Sequence, residues 1–178
     1  MIFLIYTGAR AGEALWLDWR DVDLDRGHVT FPKTKNGDPR GVPLPQRVID
    51  ALTKLPHRTG EVFRRPDGLA YQRPHDEDDE NRSAGSRIKT AFRGACRRAG
   101  IKDFHPHDCR HVFATWHYAY NRDLTALMKL GGWSNIKSVS RYTHANVDEF
   151  RSTMDRLPGG NSVESTGAEL KVTKKSTA

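Results

Sequence analysis

The chain has 178 residues, with 29 Lys and Arg against 22 Asp and Glu, and carries a formal net charge of +7. That length suits one domain with tails and is enough to bury a core. The basic excess suits a polyanionic partner, because neutralising phosphates releases their counterions; the plainer alternative is a solvated basic surface.

The opening MIFLIY is apolar but too short to span a membrane, and no small-residue cleavage pattern follows it. It reads as the end of a helix, followed by a tight turn at Thr7-Gly8 and a second short helix through Leu17. Asp21 to Asp25 alternates acidic and apolar residues, as a short strand does. His28-Val29-Thr30-Phe31 and Gly41-Val42-Pro43-Leu44 are two further strands, and the Asn36-Gly37-Asp38-Pro39 turn signal joins them into a β-hairpin. Gln46 to Leu55 reads as a helix with Val48, Ile49, Leu52 and Leu55 at helical spacing. Residues 64–86, with their acidic run, are expected to form a surface loop.

Helical patterning returns from Ser86 to Arg98, with Ile88, Ala91, Phe92 and Ala95 on one face and Gly100 closing it. A helix from His107 to Tyr120 is expected to bury Val112, Phe113, Trp116 and Tyr120. Another runs from Leu124 to Leu130, ended by Gly131-Gly132. Two last helices are expected over Ser138–His144 and Val147–Leu157. Residues 158–178 are Gly-, Ser-, Thr- and Lys-rich and read as a disordered tail. Cys96 and Cys109 both fall in helical patterns and outside any CxxC pair, which argues against a disulfide framework and points to a reducing cytoplasm. The fold class is therefore mainly α with a small antiparallel β-sheet (α+β), with one domain over residues 1–157.

Four segments carry residue types suited to phosphate chemistry. Arg10 follows a glycine turn at the start of a helix, with Glu13 one turn on; alone, the two would be an ordinary exposed helix pair. Lys35 stands at the hairpin tip, where a flexible ammonium can reach DNA or donate a proton. His107 and Arg110 lie three apart on one helix face, a phosphate clamp with acid–base capacity. Trp133 and Tyr142 sit in Leu130-Gly131-Gly132-Trp133 and Arg141-Tyr142-Thr143-His144. A rival reading takes His105, His107, Cys109 and His111 as alternating zinc ligands, but alternation converges on a strand and these residues fall at a helix.

These motifs, in this order, resemble the tyrosine recombinase and integrase family. TGARAGEAL looks like its first arginine box, TFPKTKNGDPRGVPL its β-hairpin, HDCRHVFAT its second box, and LGGW and RYTH the boxes leading to its nucleophile. The resemblance runs from about residue 3 to residue 150 and implies that Arg10, Lys35, His107, Arg110, Trp133 and Tyr142 are catalytic, with Glu13 supporting. Counting back from Val42-Pro43-Leu44 sets Lys35, rather than Lys33, at the lysine position. Cys109 stands where the family more often has an aliphatic residue, and should act as a small buried hydrophobe.

The resemblance further implies site-specific recombination or integration of double-stranded DNA through a 3′-phosphotyrosine, by a homo-oligomer (a tetramer) on DNA. No cofactor, metal, membrane or small-molecule substrate is implied, the arginines doing the electrostatic work. The family's first catalytic-domain helix and its core-binding domain are expected to be missing. That keeps open an inactive DNA-binding remnant of a decayed integrase and, less closely matched, relaxation of DNA in the manner of a type IB topoisomerase. Val147–Leu157 is amphipathic and is expected to pack either on its own domain or on a neighbour.

Overall fold

The computed structural model describes residues 1–32, 39–72 and 77–143, with residues 77–85 given by backbone alone. The hairpin tip with Lys35, the Val147–Leu157 segment and the 158–178 tail lie outside the described residues.

Helix α1 (Ile2–Thr7) stops where Gly8 turns left-handed at φ 64°, its N–H bonding the Leu4 carbonyl at 3.1 Å. The fully buried Thr7 hydroxyl donates to the Phe3 carbonyl at 2.7 Å and accepts from the Ala9 N–H at 3.3 Å, so the turn leaves no hydroxyl unpaired. A side chain at Gly8 is barred twice, by its φ and by the Phe113 ring 2.4 Å from where a Cβ would sit. This absence of a Cβ lets the turn close onto helix α5 (Asp108–Asn121). The chain re-enters helix as α2 (Ala11–Leu15).

Where a strand is expected over Asp21–Asp25, the structure has a 3₁₀ turn (Trp19–Asp21) and a two-residue strand, β1 (Val22–Asp23). Local acids shorten it. Asp18 accepts the Arg20 N–H at 2.9 Å and Asp23 accepts the Arg26 N–H at 2.8 Å, so backbone donors are drawn into turns. Strands β2 (His28–Phe31) and β3 (Arg40–Pro43) form the expected hairpin, and the antiparallel order is β1-β2-β3. Val29 pairs with Val42 and Phe31 with Arg40. Because side chains alternate across a strand, Arg40 shares the core-facing side with Val42, and both are buried.

Helix α3 (Gln46–Thr53) buries Val48 and Leu52. Helix α4 (Glu77–Arg98) begins well before Ser86, so the expected loop over residues 64–86 is shorter than its composition suggests. Residues 77–80 are all acidic, and negative charge is favoured at the positive end of a helix dipole. Ahead of it, Arg64 and Ala70 pair as an isolated bridge.

In α5, Phe113 is buried as expected, but Trp116 is half exposed and Tyr120 is 86% exposed, both on the outer side. Helix α6 (Leu124–Gly131) is capped by Asp123, which accepts the Ala126 N–H at 2.8 Å. Helix α7 (Ile136–Ser140) is capped by Asn135, which accepts the Lys137 N–H at 2.8 Å. The expected Ser138–His144 helix therefore starts and ends earlier, which leaves Tyr142 in the turn after α7.

The main core joins Phe3, Leu17, Val29, Phe31, Val42, Val48, Leu52, Val62, Phe92 and both buried cysteines. A second cluster of Phe113, Ala114, Leu127 and Val139 is flanked by Trp133 and Tyr142. Among the described residues no helix is long and apolar enough to cross a membrane.

Candidate active site

Arg10 is the N-cap of α2, in extended conformation (φ −70°, ψ 154°), so its side chain leaves the helix start rather than the helix flank. Its own N–H donates to Glu13 Oε2 at 2.7 Å and its Nη1 to Glu13 Oε1 at 3.0 Å. Its Nη2 reaches the Gly132 carbonyl at 3.4 Å. Glu13 is therefore bound to the backbone and the side chain of one residue.

The same carboxylate accepts a second guanidinium. Arg40 donates Nη1 to Oε1 at 3.2 Å and Nη2 to Oε2 at 2.9 Å, a two-pronged pair in which both side chains are less than a tenth exposed. Arg40 also donates to the Gly131 carbonyl at 2.8 Å and stacks over Phe31 at 4.6 Å. Burial by itself would raise the Glu13 carboxyl, but the Arg40 charge, the Arg10 N–H bond and the Arg10 charge outweigh it, and the carboxyl lies below its ordinary range.

Arg110, 3% exposed, approaches from α5. One guanidinium nitrogen donates to the Gly8 carbonyl at 2.5 Å. The Trp133 ring supports its flat face at 3.9 Å. Its Nη2 is buried with no hydrogen-bond partner among the described residues. Burial first, then the charges of Arg10 and Arg40, pull the Arg110 pKa down to about 9 against the opposing pull of Glu13. Two guanidiniums thus bond one carboxylate with a third, that of Arg110, nearby, and both Arg110 Nη2 and Arg40 Nε are buried without a hydrogen-bond partner among the described residues. An anion with several oxygens is the chemical complement of that arrangement.

Tyr142 lies at the edge of this cluster, its ring 6.1 Å from that of Trp133. Burial raises its phenol pKa, with Arg141 and Arg110 acting in the opposite sense. Its hydroxyl is 2.5 Å from Nδ1 of His111. The His111 ring stands edge-on to that of His107, centroids 4.9 Å apart. Burial, then the charges of His111 and Arg110, lower the His107 pKa, so His107 is neutral near pH 7.

The structure therefore gathers Arg10, Glu13, His107, Arg110, Trp133 and Tyr142, while Lys35 lies outside the described residues. Two members of the cluster are missed in the sequence reading. Arg40 is signalled by its strand register, two residues before Val42. His111 is signalled by its spacing of four from His107, yet the sequence reading considers it only as a zinc ligand. Among the described residues no group of three or more His, Cys, Asp or Glu could hold a metal ion. His105 is engaged with Asp108 at 3.2 Å, and burial pushes the Cys109 thiol up to about 11.

The sequence pattern of the Phage integrase family matches residues 1–149. The integrase of Salmonella phage P22 is 30% identical over 150 residues, covering 80% of this chain and 37% of that protein. Tyrosine recombinase XerC of Xanthomonas campestris pv. campestris (strain B100) is 32% identical over 161 residues, covering 87% of this chain and 46% of that protein. This chain thus spans less than half the length of either relative. Among solved structures, the catalytic domain of bacteriophage HP1 integrase aligns with a TM-score of 0.62 at 25% identity, covering 92% of this chain and 83% of that one. The buried arginine cluster, the neighbouring tyrosine and these alignments converge on one conclusion: the chain belongs to the phage integrase family.

Proposed function

We propose that this chain is the catalytic domain, over residues 1–157, of a site-specific DNA recombinase that cleaves and rejoins strands through a 3′-phosphotyrosine. The observation that carries the reading is the pair of guanidiniums on the Glu13 carboxylate with Arg110 nearby, its Nη2 without a hydrogen-bond partner among the described residues, beside the Tyr142 hydroxyl.

Tyr142 Oη attacks the scissile phosphorus, forming a P–O bond to the phenol as the P–O5′ bond breaks. Arg10 and Arg110 hold the non-bridging oxygens, where negative charge grows in the transition state. Glu13 fixes Arg10, and the Trp133 ring fixes the plane of Arg110. Lys35, from the segment joining β2 and β3, gives its proton to the departing 5′ oxygen. His107 lies on the side of the cluster that handles the phenol proton. In the reverse direction a 5′-hydroxyl from another duplex attacks the phosphotyrosine, so strands change partners without nucleotide hydrolysis. Double-stranded DNA is the partner, as the +7 charge favours, and strand exchange between two duplexes calls for a homo-oligomer, a tetramer on DNA.

The test is covalent trapping. Nicked suicide duplexes from the sequences flanking the gene are mixed with the chain and with its Tyr142→Phe variant, then run on denaturing gels. A slow band that requires Tyr142 is the expected result. A band formed equally by Tyr142→Phe, or none with the wild type, rejects the reading.

A further inference from the structure

We infer that His111, rather than His107, takes the proton from Tyr142 when the tyrosine attacks DNA; this rests on the recombinase reading above. The two histidines are four residues apart, His107 at the N-cap of α5 and His111 in its first turns, with their rings in contact, but they are not equivalent. His111 Nδ1 is 2.5 Å from the Tyr142 hydroxyl. His107 meets the phenol only through His111, to whose ring it presents an edge at 4.9 Å. Geometry is the first requirement for a general base, and His111 alone among the described residues has a recorded hydrogen bond to the atom that must lose a proton.

The proton balance is simple. With its Nε2 protonated, His111 accepts the phenolic proton at Nδ1 and becomes imidazolium. The phenolate oxygen bonds to phosphorus, the P–O5′ electron pair leaves with the 5′ oxygen, and Lys35 protonates that oxygen. On rejoining, imidazolium returns its proton to the departing phenolate. Arg141 and Arg110 act on the Tyr142 phenol, and His107 stands edge-on to the His111 ring. The two arginines favour the phenolate once it forms. Burial makes the phenol harder to ionise unaided, which raises the value of an acceptor already in place. His107 is then a positioning residue, its ring setting the plane of His111.

The experiment is the rate of covalent adduct formation on a nicked suicide duplex from pH 5.5 to 9.5, using the full chain, with DNA binding measured on the same duplex. His111→Gln keeps a hydrogen-bonding amide but no base. It is expected to slow the adduct by about 10²–10⁴-fold near pH 7. Its rate is expected to climb about tenfold per pH unit towards pH 9, as hydroxide replaces the lost base, where the wild type reaches a plateau. His107→Gln is expected to slow the reaction while keeping the plateau. A His111→Gln profile that keeps the wild-type rate and plateau overturns the inference but leaves the recombinase reading standing. So does a faster variant, which would mean that the bond only restrains the tyrosine. No adduct with the wild type rejects both.

A second measurement needs no DNA and no His111 variant. In protein labelled with ¹³C at tyrosine Cζ, the Tyr142 signal is identified by its loss in Tyr142→Phe. It is expected to move with a histidine titration between about pH 5 and 8. A signal flat across that range overturns the pairing.

Discussion

Arg40 and Glu13 are joined by two hydrogen bonds, 2.9 and 3.2 Å, at the bottom of the arginine cluster. The pair welds β3 to α2, and the Arg40 bond to the Gly131 carbonyl adds the end of α6. Removing one partner leaves the other charge buried. Arg40→Met is expected to cost about 3–5 kcal/mol of stability, read as a lower urea midpoint. Arg40→Lys should recover part of the loss, since a lysine can supply one prong but not the fork. A midpoint unchanged in Arg40→Met would mean that the pair holds nothing in place.

The acid limb of stability should trace to Glu13. Its carboxyl lies below the ordinary value of 4.5 in the fold, so the unfolded chain binds the proton first as pH falls. The stabilisation is fully present above about pH 4.5 and is lost as pH drops through the lower folded value. Urea unfolding between pH 6 and 3 is expected to show a steeper decline in the wild type than in Glu13→Gln. Equal slopes would assign the acid limb to other carboxyls.

Gly8 carries a mechanical demand. Gly8→Ala meets both the left-handed backbone and the Phe113 ring, and is expected to cost about 2–4 kcal/mol. Because the Gly8 carbonyl also holds Arg110, cleavage should fall in step with the melting temperature. Adding Phe113→Leu to Gly8→Ala is expected to recover part of the loss, the two changes being strongly non-additive in a double-mutant cycle.

Under the proposed function, Trp133 acts on the phosphate through Arg110. Trp133→Leu removes the face-on support at 3.9 Å, worth about 1–2 kcal/mol, so adduct formation is expected to slow by about five- to thirty-fold. Trp133→Phe should keep most of the rate. Equal rates in Trp133→Leu and wild type would detach the ring from the chemistry.

The guanidiniums of Arg10, Arg40 and Arg110 outnumber the one carboxylate among them, so the cluster should bind an oxyanion. Inorganic phosphate is expected to raise the melting temperature of the wild type above that in chloride at equal ionic strength, as ligand binding to the native state does. In Arg110→Met the gain should disappear. An equal gain in both proteins would place phosphate elsewhere.

The hairpin, the order of the helices and the family boxes are legible in the sequence because each rests on local signals. Val29, Phe31 and Val42 alternate, Asp123 and Asn135 cap, and Gly8 and Gly132 end helices with positive φ. What is not legible depends on partners far along the chain. Arg40 reads as a polar hairpin residue until Glu13 is brought beneath it. His111 reads as one of several histidines until the turn after α7 delivers Tyr142. The acidic run before Ser86 reads as loop because composition alone cannot tell a solvated segment from the start of a helix. Trp116 and Tyr120 follow the helical stripe of Phe113, yet among the described residues they stay largely uncovered, Trp116 meeting the Tyr6 ring edge-on.

The contacts that set the arginines join some of the most distant parts of the chain: Arg110 to Gly8 across 102 residues, Arg10 to Gly132 across 122, and Arg40 to Gly131 across 91. Such closures come late in folding, because the loop entropy must be met before the contacts can form. A nascent chain still short of residue 131 can hold the Glu13–Arg40 pair and the Arg110–Gly8 bond, but lacks the Gly131 and Gly132 carbonyls and the Trp133 ring. The cluster is therefore completed only once residue 133 has joined the chain, and any change that separates the first turn from the end of α6 takes it apart.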